Sequence, residues 1–136
     1  MLFMTTRLAT PFATLLIAVG LTGLAACGGG ATTGGTVPAD VDVVVKAIDG
    51  VAWDQKSYEA TVGGKLGGVA IYVENDSSIA HNMYVLDAND NVQGTYVDLT
   101  TKGSSATAVL PLAPGTYHIV CKVPGHNNMN ATLTVK

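Results

Sequence analysis

From Val41 to Lys136 no ten-residue stretch carries a helical period, whereas short β-branched and aromatic runs recur between Gly, Pro and Asn turns. That pattern leaves sheets as the way for this chain to build a core. Val41, Val43 and Val45 alternate with Asp42, Val44 and Lys46, and the run closes at the turn signal Asp49-Gly50. Extended pieces follow at Trp53 to Thr61, Val69 to Asn75, His81 to Leu86, Ser105 to Leu110, Tyr117 to Cys121 and Ala131 to Lys136, with an irregular section from Val92 to Leu99. Seven to eight short strands without helices predict an all-β fold, an antiparallel β-sandwich.

Strand parity assigns faces. It sets His81, Met83 and Val85 on one side of their strand and Tyr117, Ile119 and Cys121 on one side of theirs, and both rows are expected to face the core. The second row runs straight into Lys122-Val123-Pro124-Gly125-His126-Asn127-Asn128-Met129, so nine residues deliver a thiolate, an imidazole and a thioether. His81 offers a second imidazole from the other row. Soft thiolate and thioether ligands with two imidazoles suit a copper ion shuttling between Cu(I) and Cu(II), whereas zinc more often brings a second Cys or a further His. Taken singly, Cys121 reads as a buried thiol, His126 as a loop histidine and Met129 as core filler; their joint spacing favours copper. Met83, on His81's face, is the alternative thioether. His118 falls on the opposite face from Cys121 and is expected to be exposed.

Cys121-x4-His126-x2-Met129, preceded by Gly115-Thr116-Tyr117 and joined by a distant His81-Asn82, resembles the cupredoxin family of type 1 blue copper proteins over roughly residues 41 to 136. The Cys-x-x-Pro-Gly-His loop is similar to that of azurin, auracyanin and rusticyanin, and the flanking strands are more similar to plastocyanin. One departure is the gap of two residues between His126 and Met129, where those relatives have three or four; amicyanin also has two. The resemblance implies a Greek-key strand order and a mononuclear copper site held by His81, Cys121, His126 and Met129. It also implies that Asn82 ties the ligand segments by hydrogen bonds, and that His126 reaches the surface within an apolar patch. Val123, Pro124 and Ala113 are the expected patch residues. Pro124-Gly125 fixes the turn between two ligands.

The N-terminus reads differently. Residues 1–26 carry Arg7, an apolar run from Phe12 to Val19 and then Leu21 to Ala26, the pattern of a secretory signal rather than a transmembrane span. Leu24-Ala25-Ala26-Cys27-Gly28 resembles the lipobox of bacterial lipoproteins, which implies a lipidated Cys27 and anchoring to a membrane on its periplasmic or extracellular face. Residues 27–40, rich in Gly, Thr and Ala, read as a flexible tether ahead of a domain over 41–136. The chain has two cysteines in all, so lipid on Cys27 leaves Cys121 as a lone thiol outside the cytoplasm, where metal ligation gives it a reason to persist.

Without the signal the chain holds six lysines against ten acidic residues, a formal balance of −4, which argues against nucleic acid as a partner. The expected function is a monomeric, membrane-anchored carrier of single electrons, meeting a redox donor and a redox acceptor in transient encounters. A copper-delivery lipoprotein without redox cycling is the alternative. Delivery proteins favour open Met-rich or His-rich sites, and this chain has four methionines, two of them in the signal. No enzymatic activity is expected, because a small oxidase or a nitrite-converting enzyme needs further copper ligands, and the chain has no histidine beyond His81, His118 and His126.

Overall fold

The computed structural model describes residues 32–33 and 35–136. The expected signal and Cys27 lie outside the described residues. Ten strands form among the described residues: β1 (Thr32–Thr33), β2 (Val43–Ile48), β3 (Ala52–Trp53), β4 (Ser57–Ala60), β5 (Val69–Asn75), β6 (His81–Leu86), β7 (Val97–Leu99), β8 (Ser104–Leu110), β9 (Gly115–Val120) and β10 (Asn130–Val135). No helix occurs among the described residues. One sheet has the order β1-β8-β5-β2-β3 and the other β4-β10-β9-β6-β7, and the chain passes repeatedly between them.

This is the expected sandwich with one correction, since the sheets are mixed rather than wholly antiparallel. β2 runs parallel to β5, pairing Val43 with Ile71, and β10 runs parallel to β4, pairing Leu133 with Tyr58. The cause is topological: each parallel pair joins strands from distant parts of the chain, linked through the opposite sheet, and alternation alone carries no direction. The strand count exceeds seven to eight through β1 and β3, each only two residues long.

The apolar rows meet between the sheets. Val43, Val45 and Ala47 of β2, Val69, Ile71 and Val73 of β5, Met83 and Val85 of β6, Tyr117 and Ile119 of β9 and Ala131, Leu133 and Val135 of β10 form one core. Burying large aliphatic side chains of this kind stabilises by about 1.5–3 kcal/mol each. Trp53 reaches across to donate its indole N–H to the Ile119 carbonyl at 3.2 Å, which satisfies its one polar atom.

Ala70 and Tyr72 of β5 are buried too, although they point away from that core. The Tyr72 hydroxyl donates to the Gly35 carbonyl and the Asp42 carboxylate accepts the Ala70 N–H, so the residues leading into β2 lie against this outer face. Thr32 and Thr33 also pair with Ser105 and Ser104 of β8. Part of the stretch read as a tether therefore runs along the sheet, held by backbone pairing that needs no side-chain pattern.

Strand direction sets the two ends of the sandwich. β6 begins where β9 ends, since Tyr84 pairs with Val120 and Leu86 with His118, and β7 ends there as well through the pair Leu99 with His81. The segments 76–80, 100–103 and 121–129 thus share one end.

Candidate metal centre

Three ligand atoms converge at this end. The Cys121 Sγ lies 3.6 Å from the His126 Nδ1 and 4.0 Å from the His81 Nδ1, and the three donor atoms all fall within 4.8 Å of one another. Both sulfur–nitrogen separations are shorter than a metal–sulfur plus a metal–nitrogen bond laid end to end, about 4.3 Å, so one ion can bridge them. Cys121 and His81 are buried and His126 is half-buried; the two rings sit 4.9 Å apart at 48°. Burial, reinforced by the neighbouring His126, lowers the His81 pKa and favours the neutral ring that a metal requires.

Each ligand is held by its own local device. Cys121 follows directly on β9, and its inward parity comes from Tyr117 and Ile119, which are buried beneath it. The loop beyond is two consecutive turns. The His126 N–H donates to the Val123 carbonyl at 3.0 Å, with Pro124 and Gly125 between them and Gly125 at φ +87°, the sequence and dihedral of a type II turn. The Met129 N–H then donates to the His126 carbonyl at 2.9 Å, and the Cys121 N–H closes the loop on the Met129 carbonyl at 3.0 Å. The two residues between His126 and Met129 are therefore the centre of a turn, and this short gap brings Met129 across from Cys121.

Met129 is 1% exposed, and so is Met83 on β6, the strand beside β9 in the same sheet. Both thioethers belong to the core cluster that also contains Cys121.

Asn82 bridges the two ligand segments. Its Oδ1 accepts the Lys122 N–H at 2.7 Å, and its own N–H points at the Cys121 Sγ at 3.5 Å. A donor aimed at a thiolate stabilises the anionic sulfur, and the cross-strand tie keeps His81 and Cys121 in register.

Two polar residues that sequence reasoning passed over complete the surroundings of His81. The Ser77 Oγ lies 2.7 Å from the His81 Nε2, and Ser77 is fully buried. Asn75, also fully buried, accepts the Ser77 N–H at 3.0 Å and donates to the Ile79 and Leu99 carbonyls at 2.8 and 3.3 Å. In sequence, Asn75-Asp76-Ser77-Ser78 signals only the turn after β5; nothing in it distinguishes a buried turn from a solvated one.

The remaining expectations fall in different places. His118 is exposed and outside the cluster. Pro124 is exposed and Val123 half-buried near His126, but Ala113 precedes β9, whereas Cys121 follows it. That strand separates them by roughly 20 Å, and Ala113 sits instead beneath the Tyr117 hydroxyl at the far end, outside the His126 patch. Ile79, 45% exposed and two residues from His81, is the apolar residue the reading lacked. A groove of about 360 Å³ between Gly94–Val97 and Ala106–Leu110 contains none of the ligand residues.

A β-sandwich with one buried thiol and two imidazoles gathered at one end offers a donor set that can hold a single metal ion. More specifically, the fold is that of the cupredoxins. The chain is similar to the reduced auracyanin of the photosynthetic bacterium Roseiflexus castenholzii, at 19% identity and a TM-score of 0.59, covering 69% of this chain and 95% of that one. It is similar to a purple cupredoxin from Nitrosopumilus maritimus, at 22% identity and 0.55, covering 70% and 100%. Auracyanin A of Chloroflexus aurantiacus, a "blue" copper protein, matches at 20% identity and 0.55, covering 68% and 96%. No family model and no curated protein matches the sequence. The donor set of His81, Cys121 and His126 with a buried Met129 fits a single type 1 copper ion.

Proposed function

We propose that this chain is a copper protein that carries single electrons between redox partners outside the cytoplasm, held to a membrane through lipid on Cys27. The observation that carries the reading is the convergence of the Cys121 Sγ with the His81 and His126 Nδ1 atoms within 4.8 Å at one end of a rigid sandwich. Copper held by His81, Cys121, His126 and Met129 supplies a one-electron couple between Cu(I) and Cu(II).

The chain's own residues serve that chemistry by staying still. Asn82 locks the two ligand segments together, the double turn from Val123 to Met129 fixes the ligand loop, and the core beneath Cys121 anchors both. Little movement of the ligands keeps the cost of reorganisation low. Ile79 and Pro124 offer exposed apolar surface at the same end as half-buried His126, which suits the small, brief contacts of redox encounters.

The test loads the full chain with Cu(II) and records its visible spectrum and its potential. The expected result is an intense sulfur-to-copper band in the orange-red that is absent in Cys121→Ser, with a reversible couple. A colourless site, or one that loses copper on each reduction, would overturn the carrier and favour copper delivery.

A further inference from the structure

An imidazole has two nitrogens, and in the neutral ring only the one without a proton can bind a metal. In His81 the nitrogen facing the Cys121 Sγ is Nδ1, and Nε2 points away toward the Ser77 hydroxyl at 2.7 Å. A serine hydroxyl has one proton to give and two lone pairs to receive with. Its direction therefore decides which ring nitrogen is bare.

The Ile79 backbone biases that choice. The Ile79 carbonyl lies 3.1 Å from the Ser77 Oγ and the Ile79 N–H donates to the same oxygen at 3.3 Å. If the hydroxyl gives its proton to the carbonyl, Oγ accepts both the Ile79 N–H and an Nε2–H, and every group is satisfied. If it gives the proton to Nε2, the proton of the neutral ring sits on Nδ1, facing the sulfur, and the bond from the hydroxyl to the Ile79 carbonyl is lost while that from the Ile79 N–H stays. The carbonyl also accepts the Asn75 Nδ2 at 2.8 Å, and its two lone pairs accommodate both donors. Asn75 in turn holds the Ser77 N–H, so the hydroxyl is fixed in place from both sides.

We propose that Ser77 is the positioning residue that keeps His81 in its Nε2–H tautomer, so that Nδ1 already faces Cys121 as a bare donor before any metal arrives. The inference deepens the copper reading and rests on it. Copper binding then needs no tautomer change and no ring flip, and the N–H···O bond raises the basicity of the ligating nitrogen.

The test is a long-range proton–nitrogen correlation on the ¹⁵N-labelled, metal-free full chain in detergent micelles, with exposed His118 as the reference ring. His81 is expected to show a protonated Nε2 and a bare Nδ1, its ring proton exchanging with water at least about tenfold more slowly than that of His118. In Ser77→Ala the exchange quickens, the two tautomers mix, and Cu(II) affinity falls about 10–100-fold. A protonated Nδ1 in the native chain overturns the proposal, as does an unchanged tautomer and exchange rate in Ser77→Ala. Should that variant fail to fold, the native tautomer decides alone. Loss of the copper reading would be visible separately, as an absent Cys121-dependent colour, whatever the tautomer.

Discussion

Asn75→Ala removes the amide on which the His81 end of the sandwich hangs. Asn75 is fully buried, and its side chain makes three hydrogen bonds, to the Ser77 N–H and to the Ile79 and Leu99 carbonyls. The Ser77 N–H has no other acceptor among the described residues, and an unpaired buried donor costs about 1–3 kcal/mol. The two donated bonds add about 0.5–1.5 kcal/mol each; the Ile79 carbonyl keeps its bond from Ser77. The total comes to about 4 kcal/mol, a large part of the 5–15 kcal/mol typical of a domain. Urea unfolding of the metal-free chain measures it directly, and thermal melts should show Tm falling roughly 15–30 °C for a domain of this size. Asn130→Ala, at an exposed position of β10, is the control and should stay within about 0.5 kcal/mol. A loss below about 1 kcal/mol in Asn75→Ala, with an unchanged m-value, would refute the view that this buried amide organises the turn.

Met129→Leu keeps volume in a 1% exposed position and should cost less than about 1.5 kcal/mol, while shifting the copper potential and preserving the colour. An unchanged potential would move the thioether role to Met83. The His81 pKa is lowered in the folded chain and returns to 6.5 on unfolding, so below about pH 6.5 the unfolded chain takes up a proton that the folded one resists. Metal-free stability is therefore expected to fall as pH drops through that window and to show no contribution from His81 above it; thermal melts from pH 8 to 5, compared with His81→Asn, check the sign. Ile79→Asp replaces exposed apolar surface beside the site with charge, and should slow electron exchange with a redox partner severalfold while leaving the potential within error. Stopped-flow mixing measures the rate and voltammetry the potential.

The candidate metal-binding residues could be picked out from the order of the chain because their chemistry is intrinsic to their side chains. A thiol, an imidazole and a thioether on one strand end and its loop point to a soft metal whatever surrounds them. Period-two alternation was likewise enough to turn Cys121 and His81 inward and His118 outward, because a strand has only two faces. The Pro124-Gly125 turn could be read for the same local reason. Tertiary structure decided everything that depends on direction and distance along the sandwich. It made the β2–β5 and β4–β10 pairs parallel, set Ala113 at the far end from the ligands and brought Ile79 to the near one. It also turned Asn75 and Ser77, which read as ordinary turn residues, into the buried support of His81, since burial belongs to the packed fold and is written in no single segment.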